Sequence, residues 1–174
     1  MCDIYNGWHV LRVKSLHEKK INDLLLESSI ETFLPLIKTI KKWSDRKKII
    51  SKPLFPSYIF VNIHSSVDFY KALDMYNAFG FIRFGKEYAR VTDKEINQIK
   101  LLIGDEDTTD VEMNTQLLNV GDIKKIAYGP LCGLECEIYK VGNAKKIIVQ
   151  IDSLGQNITA SVPSYYFEET TPTS

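Results

Sequence analysis

The chain has 174 residues, 44% of them hydrophobic and 25% charged, and a formal net charge of zero, an ordinary globular composition rather than that of a polyelectrolyte. No apolar run approaches the ~20 residues of a membrane helix, and the N-terminus lacks a basic start followed by an apolar stretch, so a cytoplasmic location is expected. Cys2, Cys132 and Cys136 form no C-x-x-C pair and have no histidine at ligand spacing, which argues against a disulfide framework or a zinc site, and no cofactor is expected.

Trp8 to Lys14 alternates in bulky residues and reads as a first strand. Ser15 stands three residues before Glu18 as in a capping box, and Ile21, Leu24 and Leu25 recur at helical spacing through Ser28. Glu31 to Trp43 and Lys47 to Lys52 are strand-like, with Ser44, Asp45 and Arg46 as the turn of a long hairpin. That hairpin carries Lys38, Lys41, Lys42, Arg46, Lys47, Lys48 and Lys52 against Asp45 alone. It is either a solvated ribbon or a tip that touches phosphates, and Trp43 either packs or stacks on an unpaired base.

Two prolines, Pro53 and Pro56, precede a strand in which Tyr58 and Phe60 point to one side and Ile59 and Val61 to the other. One side suits a core; the other either packs as well or is offered to a partner. Ser65 with Asp68 opens a helix over about Val67 to Tyr76, and Phe81 to Phe84 is a short strand ended by Gly85. Thr92 with Glu95 opens a third helix carrying Ile96, Ile99, Leu102 and Ile103, in which Ile96 and Ile99 lie about 60° apart and share a face. This order fits an α/β layer on a mainly antiparallel sheet, placing a first domain at 1–104.

Gly104 ends the third helix, and Asp105 to Asp110 has no apolar residue to bury, so 105–117 reads as an acidic linker. Val120 to Ala127, Glu137 to Val141, Lys146 to Ile151 and Ile158 to Val162 are β-branched runs separated by turns, the pattern of a small barrel at 118–174. Residues 1–104 hold 17 Lys and Arg against 11 Asp and Glu, and the remainder hold 5 against 11. A basic first half suits a phosphate backbone, and an acidic second half suits a protein partner. His9, His17 and His64 have no nucleophile or carboxylate at catalytic spacing and no glycine loop cradles phosphate, so no enzymatic activity is expected.

Four motifs in order resemble the NusG family of transcription elongation factors: Trp8 to Val13 as its aromatic first strand; Phe55-Pro56-Ser57-Tyr58 as its F-P-G/N-Y; Phe81-Ile82-Arg83-Phe84-Gly85 before the last helix; and Val120-Gly121-Asp122 with Gly129-Pro130-Leu131-Cys132-Gly133-Leu134-Glu135 as a KOW motif. Cys136 departs from the glycine usual in KOW sequences. Pro56 to Val61 and Ile82 to Gly85 are nearer in style to specialised paralogues of UpxY or RfaH-like type. The resemblance implies an α+β chain: an N-terminal NGN sandwich, an acidic linker and a C-terminal KOW domain with an SH3-like barrel.

The resemblance further implies that Phe55, Tyr58, Phe60, Phe84, Ile96 and Ile99 dock on the clamp helices of RNA polymerase. It places a second polymerase contact at Phe69, Tyr70 and Lys71, where the short polar motif of the specialised paralogues is not matched. It sets Lys41, Lys42, Arg46, Lys47 and Lys48 near non-template DNA at the transcription bubble, and Leu154 at the KOW loop that binds a small-subunit ribosomal protein or Rho. The factor expected is a monomer that suppresses pausing or termination. The alternative is an RNA-binding or ribosome-associated KOW protein acting without polymerase, which would carry its positive charge on the KOW domain.

Overall fold

A computed structural model describes residues 5–114, 122–126, 131–141 and 144–167. By their internal contacts the residues separate into two units, Met1–Asp93 and Lys94–Ser174.

The first unit is built around β1 (Gly7–Val13), which pairs antiparallel with β5 (Tyr58–Ile63), with β6 (Ala78–Phe81) and with β9 (Arg90–Val91), while β2 (Glu31–Phe33) extends the sheet beyond β5. Register places Leu11 opposite Ile59 and Val10 opposite Phe60, so the period-two alternation of both strands sorts their side chains onto the same two faces. One face packs Leu11, Val13, Ile59, Val61 and Ile63 against Ile21 and Leu25 of α1 (Glu18–Glu27) and Phe69 and Ala72 of α2 (Ser66–Leu73). These side chains are at most 2% exposed, and at ~25 cal/mol per Å2 of buried apolar area they are the main stabilising contribution of this unit.

Two helix starts differ in outcome. Ser65 caps α2 as expected, accepting a bond from the Asp68 N–H at 3.1 Å. The Ser15 capping box does not form: His17 occupies the N-cap of α1 without a side-chain bond, and Glu18 turns elsewhere. The second helix also stops at Leu73, short of Tyr76, because the backbone reverses through Asn77 at φ 69. The strand expected over Phe81 to Phe84 is broken, with Phe81 ending β6 and Arg83–Phe84 forming β7, which pairs with β8 (Glu87–Tyr88). Ile82 donates its N–H to Val10 at this break.

Between β2 and β5 the chain leaves the sheet at Leu34 and Pro35 and forms a separate two-stranded ribbon, β3 (Leu36–Lys42) with β4 (Lys47–Pro53). The single strand expected over Glu31 to Trp43 is thus two, divided where Pro35 has no N–H to give a ladder.

The second unit begins with α3 (Asp93–Gly104, from Lys94) and continues as a five-stranded antiparallel sheet in the order β10 (Thr109–Asn114), β14 (Gln156–Val162), β13 (Ala144–Ile151), β12 (Glu135–Val141), β11 (Asp122–Lys125). Ile147, Val149, Ile151, Ile158 and Ala160 are buried within it. The acidic segment is not a free linker over its described part. Asp105 is buried, accepting bonds from the Tyr166 hydroxyl at 3.1 and 3.2 Å and from Thr108 and the Asp107 N–H, and residues 109–114 pair with β14. Polarity misled because a strand edge is satisfied by its backbone, which any residue but proline supplies. Residues 115–117 of that segment, and Val120, Gly121, Gly129 and Pro130 of the expected KOW motif, lie outside the described residues. Within the motif Leu131 and Leu134 are buried, Gly133 takes φ 89, and Cys136 sits in β12 opposite Lys124, where extended backbone accepts a side chain.

Candidate interaction surfaces

The turn Phe55-Pro56-Ser57-Tyr58 is held from two sides. Ser57 adopts φ 68, the left-handed conformation that glycine or asparagine takes most readily. Its N–H donates to Oε1 of the buried Glu18 at 2.8 Å, and its carbonyl accepts from the Val13 N–H at 2.8 Å. Glu18, read from sequence as a capping residue, is therefore a clamp on this turn; its separation of 39 residues from Ser57 left no local signal. The clamp fixes where β5 begins and hence where Tyr58 is presented.

Beyond the turn, Phe60 lies opposite Phe33 with ring centroids 5.9 Å apart, and Phe55 meets it edge-on at 5.4 Å. Phe55 and Phe60 are buried, whereas Tyr58 is half-buried. Phe84 is 57% exposed on the β7–β8 hairpin. In the second unit Ile96 and Ile99 are buried on one side of α3, with Leu102. Of the six expected docking residues, Phe55 and Phe60 touch each other, Tyr58 and Phe84 reach solvent, and Ile96 and Ile99 do not.

α3 is also fastened at its start. Oε1 of the buried Glu95 accepts the Ser153 N–H at 3.0 Å, and Lys94 Nζ lies 3.0 Å from Glu135, whose carboxyl is held below its usual range by that hydrogen bond and by the lysine charge. Leu154, next to Ser153, is half-buried in a 3-10 turn over Asp152–Leu154 that closes through Gly155 at φ 60. The loop around Leu154 and the helix carrying Ile96 and Ile99 are thus tied through one carboxylate.

Phe69 is a core residue. It stacks on Phe81 at 4.5 Å and meets Tyr5, His9 and Tyr88 within 6.1 Å, because its position on α2 faces the sheet. Tyr70, 56% exposed, and Lys71 stand on the outer side. His9 is buried among these rings with Nε2 2.9 Å from the Tyr5 carbonyl; burial lowers its pKa, Arg90 adds to that, and bonds to backbone at Tyr5 and Ala89 oppose it.

On the β3–β4 ribbon, Lys41, Lys42, Arg46, Lys47 and Lys48 are all exposed. Trp43, 58% exposed, closes the turn by donating its N–H to the Arg46 carbonyl at 2.8 Å, and Lys41 Nζ lies 5.3 Å from its ring centroid. Among the described residues no cluster of His, Cys, Asp and Glu is arranged to hold a metal, and no helix is long and apolar enough to cross a membrane. Burial pushes the Cys136 thiol up to about 12, which keeps it protonated and unreactive.

The family model described as "Transcription termination factor nusG" matches residues 6–100. Among solved structures, "Domain interaction in Thermotoga maritima NusG" aligns with a TM-score of 0.52 at 22% identity, covering 90% of this chain and 92% of that one, a likeness of fold. "Crystal Structure of MjSpt4:Spt5 complex conformation A" aligns at 14% identity with a TM-score of 0.33, covering 89% and 93%. None of the curated proteins matches the chain. The family match takes in β1, the Ser57 turn, the ribbon, β5 and most of α3, more than half of the sequence, and on it the chain belongs to the NusG family.

Proposed function

We propose that this protein is a transcription elongation and antitermination factor that docks on the clamp helices of RNA polymerase and suppresses pausing or termination without turnover of its own. The observation that carries this reading is the family match over residues 6–100, which includes the clamped Phe55-Pro56-Ser57-Tyr58 turn. Tyr58 and Phe84 supply the accessible part of the docking surface. Phe55 and Phe60, packed edge-on, stiffen the start of the strand that carries Tyr58, which lowers the ordering cost of binding. Ile96 and Ile99, buried on α3, are the expected members of this contact that offer no exposed surface.

The remaining assignments extend the same reading. Residues 1–104 act as the NGN domain and 118–174 as the KOW domain, an SH3-like barrel that recruits a small-subunit ribosomal protein or Rho through Leu154. The exposed cations of the ribbon meet non-template DNA beside the transcription bubble. Tyr70 and Lys71 are the accessible members of a second polymerase contact. The chain works in the cytoplasm as a specialised paralogue of UpxY or RfaH-like type.

The test is capture of the isolated clamp helices by the full chain, with Tyr58→Ala and Phe84→Ala as paired variants. Loss of capture by both variants, with unfolding midpoints within about 0.5 kcal/mol of the parent, supports docking. Capture unaffected by either change, or unchanged pause lifetimes and terminator readthrough at saturating protein, refutes it.

A further inference from the structure

The ribbon of β3 and β4 has a charge arrangement that works against its own pairing. Lys41 lies directly opposite Lys48, and Lys42 directly opposite Lys47. Side chains so placed have Cβ atoms about 4.5–5.5 Å apart, and like charges there destabilise an antiparallel pair. Two such pairs adjoin at the tip, followed by Arg46 in the turn, and among the described residues none of these cations has an ion-pair partner. Among the described residues the ribbon also pairs with no other strand, so no neighbouring sheet offsets the repulsion.

The two lysine pairs occupy opposite faces, because successive residues of a strand alternate. On one face Lys42 and Lys47 flank Ile40 and Ile49, which oppose each other at 63% and 68% exposure. On the other face are Lys41 and Lys48, with Lys52 opposite Ile37 nearer the base. A single nucleic-acid strand laid along one face neutralises that face alone. A groove of a double helix presents phosphates along both walls, with acceptor atoms and thymine methyl groups on its floor, and a major groove about 12 Å wide admits a two-stranded ribbon. Cations on both faces then have anions within reach of their flexible stems.

We infer that this ribbon inserts into the major groove of duplex DNA, its two lysine pairs bound to the phosphates on either side. The inference rests on the reading of the ribbon as a nucleic-acid contact and narrows it from an open strand to a double helix; it does not depend on polymerase docking. Each phosphate contact contributes about 0.9 to the log-log salt slope, so the four paired lysines and Arg46 together give a slope of roughly −4 to −5.

The experiment measures binding of the full chain, without polymerase, to a blunt duplex of about 20 bp and to a single strand of equal length, between about 50 and 200 mM salt. Two variants neutralise one face each, Lys41→Gln with Lys48→Gln and Lys42→Gln with Lys47→Gln, and circular dichroism checks that each remains folded. The expected result is preference for the duplex, with each variant lowering the slope by about 2 and the affinity at about 0.1 M salt by tens of fold. Preference for the single strand, or loss confined to one variant, overturns groove insertion and leaves a one-faced nucleic-acid contact. No binding to either probe at the lowest salt overturns both the insertion and the nucleic-acid reading of the ribbon.

Discussion

Replacing Glu18 by alanine tests whether a buried carboxylate sets the Phe55-Pro56-Ser57-Tyr58 turn. The Ser57 N–H, 2.8 Å from Oε1, loses its acceptor at a site where Glu18 is only 4% exposed. A hydrogen bond to a charged group contributes about 1.5–3 kcal/mol, and an N–H left unsatisfied costs a similar amount, so Glu18→Ala lowers stability by about 2 kcal/mol. Glu18→Gln keeps an acceptor oxygen without the charge and loses roughly half of that. A competing source of the same loss exists, because Glu18 is also in the first turn of α1, where a negative charge interacts with the helix dipole by about 0.3–1 kcal/mol. Hydrogen exchange separates the two. Loss of the clamp speeds exchange at the Ser57 amide by roughly 30-fold relative to the first-unit core, while loss of the dipole term leaves that amide untouched. Unchanged Ser57 exchange in Glu18→Ala, whatever the global stability, would refute the clamp.

Other expectations follow from the same packing. Phe69→Ala removes the ring stacked on Phe81 and costs about 3–5 kcal/mol in urea unfolding, whereas Tyr70→Ala, one residue on and exposed, stays within about 0.5 kcal/mol. His9 is buried with a lowered pKa, so the unfolded chain takes up its proton first; stability is full above about pH 6.5 and declines as pH falls from there toward the native pKa. Urea midpoints at a series of pH values check this, and His9→Leu flattens the decline in that window. Lys94→Ala leaves the urea midpoint essentially unchanged, because both partners of the Lys94–Glu135 pair are more than half exposed and solvent screens their attraction. Glu95→Ala exposes the Ser153 amide to exchange, and an unaltered exchange rate there would show that the carboxylate does not hold the loop.

Much of this organisation was legible in the residues themselves. Alternation in Trp8 to Val13 and Tyr58 to Val61 fixed two strands and both faces of their sheet, since period two admits one assignment once Ile59 and Val61 face a core. The Ser65 cap and the spacing of Ile96, Ile99 and Leu102 located helices for the same local reason. The cationic ribbon, too, was visible as charge clustered about a short turn. What the sequence did not contain was any record of distant partners. Whether Phe60 meets a neighbouring molecule or Phe33 and Phe55, whether Glu18 caps its own helix or Ser57, and whether the polar run after Gly104 floats or pairs with β14 depend on chain segments brought together by folding. Local pattern reports which way a side chain points; tertiary structure decides what it meets, because burial and hydrogen bonding are settled by contacts across dozens of residues rather than by neighbours along the chain.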